Sequence, residues 1–231
     1  MSSLRDARLR SLIAACSALL ASCAALEPAP LEETMRSLDA AKTCCASPKE
    51  FRYEPLPPLD SRRFEIGVES PAFEFPTGKS YFKAFALPAY TAAYSITIES
   101  FEGSHSPAGR VPHSASVFVP AAMFLDTSYV VTRVVDEAAF RRVDGSLLPR
   151  QALRLEATIS IGPENAQERY LVIFTTRRAL GGMTAGTVPQ IIPIFLPGVV
   201  TALPTGRREP RYMHHAPVGL LRISTTRPKA P

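Results

Sequence analysis

From Leu153 to Ile161 the chain alternates without a break: Leu153, Leu155, Ala157, Ile159 and Ile161 fall on one parity, and Arg154, Glu156, Thr158 and Ser160 on the other. Successive side chains of a strand point to opposite faces, so such a segment shows one face to a core and one to water as β-structure. The same period recurs in Phe64, Ile66 and Val68, and in Tyr94, Ile96 and Ile98, which alternate with Ser95, Thr97 and Glu99. Tyr81 to Leu87 is aromatic on both faces, and Tyr170 to Phe174 is a continuous apolar run that fits a strand buried on both sides. Val117–Val119, Met123–Leu125, Val130–Val135 and Leu220–Ile223 add further short strands, broken by Pro, Gly and Ser turns. No helical periods intervene. The pattern excludes a doubly wound α/β fold and predicts an all-β chain, an antiparallel β-sandwich of jelly-roll-like topology over residues 62–225.

Three stretches depart from this pattern. Leu31, Met35, Leu38 and Ala41 recur at helical spacing and predict one short amphipathic helix. After it, Pro48 to Asp60, with Pro55, Pro57 and Pro58, reads as an extended spacer before the folded body. Gly181 to Arg211 carries Pro189, Pro193, Pro197 and Pro204 among apolar residues and reads as a long ordered excursion, a candidate functional surface. Residues 226–231 form a tail.

The first residues concern destination more than fold. Arg5, Arg8 and Arg10 precede a mostly apolar run from Leu12 to Ala21, the order of a secretory signal, and the run is shorter than the ~20 residues a membrane helix takes. It ends in Leu20-Ala21-Ser22-Cys23, which resembles a bacterial lipobox. Residues 1–22 are therefore expected to leave as a signal peptide, and Cys23 to carry the lipid that anchors the chain to a bacterial membrane. Residues 23–61 then comprise the lipidated N-terminus, the helix and the spacer. Ala24, by similarity to Gram-negative lipoproteins, implies sorting to the periplasmic side of the outer membrane. Loss of residues 1–22 reduces the net charge from +5 to +3, and the pairs Arg62-Arg63, Arg141-Arg142, Arg177-Arg178 and Arg207-Arg208 are scattered. Nucleic-acid binders instead cluster such residues along a face, so no nucleic-acid partner is expected. Of the four cysteines, Cys44 and Cys45 remain. Neighbouring Cα atoms lie ~3.8 Å apart, short of the usual 4.4–6.8 Å disulfide range, so a vicinal bridge would be strained, and it, a bridge between chains and two free thiols all stay open.

The segments Phe73-Glu74-Phe75, Gly78-Lys79-Ser80, Leu87-Pro88, Tyr94 to Ser100, Val117-Phe118-Val119-Pro120 and Phe124-Leu125-Asp126 follow in an order that resembles the maltose operon periplasmic protein family, MalM. Leu153 to Ile161, Tyr170 to Thr176 and Val218-Gly219-Leu220-Leu221 continue the resemblance, which covers about residues 60–225. It implies a periplasmic protein connected with uptake of maltose and maltodextrins, and it carries over no catalytic residue.

Motifs for chemistry are weak. Gly78-Lys79-Ser80 lacks the earlier glycine of a phosphate loop, since Phe73 occupies that position, and Gly78 reads as a turn residue. No G-x-S-x-G occurs, and Gly103-Ser104-His105-Ser106 has the wrong spacing for a nucleophile elbow. His105, His113, His214 and His215 form no helical ligand pair, so no metal or other cofactor is expected. Glu65, Glu69, Glu74 and Glu99 mostly fall on outward or terminal strand positions and read as solvated, and Asp126 reads as a turn cap. Sugar binding would set aromatic faces against pyranose C–H groups beside polar partners, with Tyr81, Tyr90, Tyr94 and Phe101 as candidates in a chain without tryptophan. The expectation is a lipid-anchored, non-catalytic accessory module of carbohydrate transport that meets maltodextrin or another oligosaccharide, and possible partners include envelope transport proteins. The alternative is a structural envelope lipoprotein that docks to another envelope protein through residues 181–211 and binds no sugar.

Overall fold

A computed structural model describes residues 31–56, 61–103, 114–147, 150–196 and 199–226; Cys23, His105 and His113 lie outside the described residues. Among the described residues one α-helix, α1 (Leu31–Ala40), precedes seventeen strands. These are β1 (Tyr53–Pro55), β2 (Ser61–Ile66), β3 (Ala72–Phe75), β4 (Gly78–Tyr81), β5 (Lys83–Ala86), β6 (Tyr94–Phe101), β7 (Ser114–Phe118), β8 (Ala121–Leu125) and β9 (Val131–Val135). They continue as β10 (Arg141–Val143), β11 (Ser146–Leu147), β12 (Arg150–Gln151), β13 (Arg154–Ile161), β14 (Tyr170–Phe174), β15 (Met183–Leu196), β16 (Val199–Ala216) and β17 (Gly219–Thr226).

Two five-stranded sheets form the sandwich, one ordered β1-β5-β14-β8-β9 and the other β10-β13-β6-β17-β2. Every contact inside them is antiparallel except β1 with β5. Alternation decides what each face buries. In the first sheet, Phe85, Ala122, Phe124, Leu171 and Ile173 enter the core between the sheets, while the intervening Ala84, Met123, Leu125, Val172 and Phe174 enter a second core on the other side. The central strands β8 and β14 are buried on both faces, which is why β14 reads as a continuous apolar run. The second sheet sends Ile96, Ile98, Leu155, Ala157, Ile159, Leu221 and Ile223 inward and keeps a polar outer face.

The second core explains a departure from the sequence reading. Residues 48–56 are not a free spacer: Phe51 and Leu56 are 5% and 4% exposed, and β1 adds a parallel edge strand to β5. Phe51 packs against Phe82 with ring centroids 4.3 Å apart, and the β3–β4 hairpin brings Phe75 over Phe174 at 4.1 Å. Leu38 of α1 reaches the main core, so the folded body begins with the helix, well before residue 62. Both cores lie within residues 38–223.

Gly78-Lys79-Ser80 serves the fold. Gly78 follows the Pro76-Thr77 turn at φ +108°, where an added Cβ would meet the Arg177 Cβ at 2.8 Å. Lys79 Nζ donates to the carbonyls of Asp39 (2.8 Å) and Ala41 (3.0 Å), neutralising the C-terminal end of α1. The buried Ser80 hydroxyl accepts from the Thr175 amide at 2.9 Å.

The 181–211 stretch is mostly strand, contrary to its reading as an excursion without β pattern. β15 and β16 pair from Met183–His214 to Leu196–Val199, and β16 then aligns parallel with β7 from Tyr212 onward. The Thr187 amide donates to Asp144 Oδ1 and its carbonyl accepts from Gly145, both directed away from β16. Two residues on from Thr187 lies Pro189; the register shifts between Pro189 and Ile191, and beyond the shift Ile191 pairs with Pro204 and Pro193 with Ala202, while Pro210 lies opposite Thr187. The prolines thus occupy positions where the ladder needs no N–H, which lets a proline-rich sequence form a hairpin.

Phe85 is fully buried between the sheets, with its ring 5.2 Å from that of Phe64. Phe85→Ala is expected to lower unfolding free energy by about 3–5 kcal/mol in urea titration; a loss under ~1 kcal/mol would contradict this assignment of the core.

Candidate functional site

The outer face of the second sheet follows from strand register. Leu220, Phe101 and Arg154 form one row across β17, β6 and β13; Arg63, Arg222, Glu99, Glu156 and Arg141 form the next, extending to β2 and β10. Cross-strand neighbours on one face are in side-chain contact; here Arg222 stands opposite Glu99 and Arg141 opposite Glu156, while the like pair Glu99 and Glu156 is bridged by Arg154. Arg222 binds Glu99 through two N–H groups, one at 2.7 Å, and Arg154 Nε approaches the same carboxylate at 2.9 Å. Arg154 also reaches Glu156 at 2.8 Å, and Arg141 closes the chain on Glu156 at 2.9 Å. One row further, the Thr97 and Thr158 hydroxyls are 3.0 Å apart.

Glu99 departs from its reading as a solvated carboxylate. It points outward but is only 4% exposed, because Arg154 and Arg222 cover it. Arg222, Arg154 and Arg141 against Glu99 and Glu156 leave one positive charge over. Arg63 adds to it: its guanidinium carbon stands 5.8 Å from the Phe101 ring centroid, with that of Arg222 at 5.4 Å. Glu102, next in the chain, is ion-paired with the buried Arg211.

These groups enclose a pocket of about 430 Å³ lined by Arg63, Phe101, Glu102, Arg154, Leu220 and Arg222. Its size falls within the ~300–1,000 Å³ common for ligand sites. It combines a ring face and a Leu with convergent guanidinium donors and carboxylate acceptors. No free base is evident there, since both oxygens of Glu99 are engaged by arginine and Glu102 is paired.

Of the four aromatics expected to meet sugar, only Phe101 lines this pocket. Tyr81 is 1% exposed and belongs to the main core, so its ring cannot serve as a platform. Tyr90 and Tyr94 pack partly buried against the same core, and burial pushes the Tyr94 phenol up to about 12. Three other tyrosines cluster instead: Tyr170 lies 4.3 Å from Tyr53 and 4.8 Å from Tyr129, so these rings use their faces on one another. Arg63, Arg154 and Arg222 escaped the sequence reading because their convergence depends on the pairing of β2, β17, β6 and β13. The alternation itself had marked Arg154 and Glu156 as outward.

The remaining motifs are structural. Asp126 Oδ1 accepts from the Ser128 and Val130 amides at 2.7 and 2.9 Å, a turn cap as expected. Cys44 and Cys45 form a disulfide with Cα atoms 3.8 Å apart. His215 donates through Nδ1 to the Ala179 carbonyl at 2.7 Å, which fixes the ring, and its Nε2 is 2.8 Å from the Thr184 hydroxyl.

Fold and site together define a β-sandwich protein with a basic, aromatic-floored pocket on the exposed face of one sheet. The sequence model of the family described as maltose operon periplasmic protein precursor (MalM) matches residues 77–224, and the chain belongs to this family. It is thus a periplasmic protein of a family associated with the maltose operon. None of the curated proteins matches it. The matched region contains Phe101, Arg154 and Arg222, whereas Arg63 on β2 precedes it.

Burial alone would raise the Glu156 carboxyl, but hydrogen bonds from Arg141 and Arg154 outweigh it and hold the group below the ordinary carboxylate range. A depressed carboxyl contributes stability above its unfolded value of ~4.3 and loses that contribution as pH falls through the lower folded value. Glu156→Gln is therefore expected to lower the urea midpoint at pH 7 and to approach the parent at pH 3. A difference that persists unchanged at pH 3 would contradict the charged lattice.

Proposed function

We propose that the Phe101 pocket binds an oligosaccharide of the maltodextrin class and performs no chemistry on it, making the chain an accessory module of carbohydrate uptake. The observation that carries this reading is the Phe101 ring in the pocket, bracketed by Arg63 and Arg222 with Arg154 and Glu102 beside it. A pyranose has apolar C–H faces and a rim of hydroxyls, so a ring face surrounded by rigid donors and acceptors matches both parts. The ion pairs hold Arg154 and Arg222 in place before a ligand arrives, which reduces the ordering cost of binding. Neutralised carboxylates support a binding role over glycoside hydrolysis, which needs one free carboxylic acid and one free carboxylate. The family's association with the maltose operon supports the choice of sugar. In this reading the Cys23 lipid holds the module at the periplasmic face of the outer membrane.

Calorimetric titration of residues 24–231 with maltose and longer maltodextrins is expected to give saturable, length-dependent heat, and Phe101→Ala is expected to weaken binding by at least about tenfold, or ~1.4 kcal/mol. Absence of heat at millimolar sugar would overturn this reading and favour the structural, partner-docking alternative.

A further inference from the structure

Beyond the contacts at Asp144 and Gly145, β15 and β16 continue as a two-stranded arm that pairs with no other strand among the described residues. From Pro189 to Gly206 the sequence contains no ionisable side chain. Adjacent residues of a strand point to opposite faces, and here both faces are apolar and open: Ile191 and Ile192 are 49% and 52% exposed, Leu203 54% and Phe195 75%. A ribbon lying against one protein surface needs an apolar character on one face only. Apolar side chains on both faces suit a medium that surrounds the tip.

Two further observations point the same way. Pro189 and Pro193 on β15 and Pro204 on β16 fall at outward-facing ladder positions, so the arm's edges lack part of the row of amides that an added strand would use. Capture by strand addition, from a second copy or another protein, is thereby impeded. A basic collar follows the uncharged tip: Arg207 and Arg208 are exposed, and Arg208 donates to the Thr187 hydroxyl and the Gly145 carbonyl at 2.8 Å. Pro189, across the ladder from Arg208, is six residues from Phe195, or about 20 Å at strand spacing.

We infer that the arm is a membrane-surface anchor that lies tilted on an anionic bilayer, so that its tip enters the interface while Arg207 and Arg208, further back along the arm, face the headgroups. Interfacial segments bury their apolar part by ~5–10 Å, and basic residues just outside add attraction to anionic headgroups. Outward amides such as that of Ile191 still need water or another partner, so insertion is shallow and the arm does not span the membrane. The inference is independent of the sugar reading.

The test uses residues 24–231, which retain both cores and lack Cys23, with vesicles of phosphatidylethanolamine and phosphatidylglycerol. The protein is expected to co-float with them. Binding should fall about tenfold with Ile192→Asp and Phe195→Asp combined, and several-fold with Arg207→Glu and Arg208→Glu or when phosphatidylglycerol is replaced by phosphatidylcholine. Circular dichroism should stay unchanged, because all four side chains are exposed. The chain has no tryptophan, so Phe195→Trp provides a single reporter whose emission should shift to the blue on vesicle addition. Failure to co-float together with an unshifted emission would overturn the inference. So would undiminished flotation of the double aspartate variant, or a dimer or protein complex that the same substitutions abolish without any vesicle binding.

Discussion

The register of β6 between β13 and β17 is the constraint on which both core and pocket depend. Ile96 and Ile98 point into the sandwich, and the Ser100 hydroxyl fastens the inner face by donating to the Phe118 carbonyl at 2.6 Å. Glu99 and Phe101 consequently point outward, opposite Arg222 and Leu220 on one side and Glu156 and Arg154 on the other. A slip of one residue would place Glu99 in the core and move Phe101 from its pocket, since strand side chains alternate strictly. The salt-bridged outer row opposes that slip from one side and the buried isoleucines oppose it from the other. Burial of an ion pair is weak evidence for stability by itself, and its clearer consequence here is to specify which arrangement forms.

The two sheets solve different problems. The central strands of the first are buried on both faces, and its outer face is covered by residues that precede and follow β2: Phe51, Phe73, Phe75 and Phe82 close over Val172 and Phe174. The second needs no such cover because its outer face is charged. That division leaves one broad polar surface available for a ligand, and the arm of β15 and β16 extends from a separate three-stranded sheet.

Period two made the fold class legible, and β13, β6 and β14 stand where alternation or a continuous apolar run indicated. Three features were less legible for physical reasons. Phe51 and Leu56 lie among prolines that read as a spacer, but Phe51 is buried in the second core and Leu56 in the main one, each assembled from residues distant in sequence. In residues 181–211 prolines masked the strands, because their compatibility with a hairpin depends on which amides face outward. The pocket was only partly legible: Phe101 was recognisable as an aromatic candidate, whereas Arg63, Arg154 and Arg222 acquire their role through pairing across four strands. Tyr81 carried the same aromatic signal as Phe101, yet its position points into the core.

In the proposed reading, the aromatic and arginine-lined pocket of this periplasmic sandwich holds a flexible sugar chain without altering it. The register account of β6 and the binding account meet at the same atoms. Backbone amide NMR of residues 24–231 titrated with a maltodextrin tests that meeting point most directly. The account predicts shifts concentrated at Phe101, Glu102, Arg154, Leu220 and Arg222, with Arg63 among them and the Tyr53–Tyr129–Tyr170 cluster unmoved. Shifts centred on those tyrosines, or no shifts at saturating sugar, would contradict it.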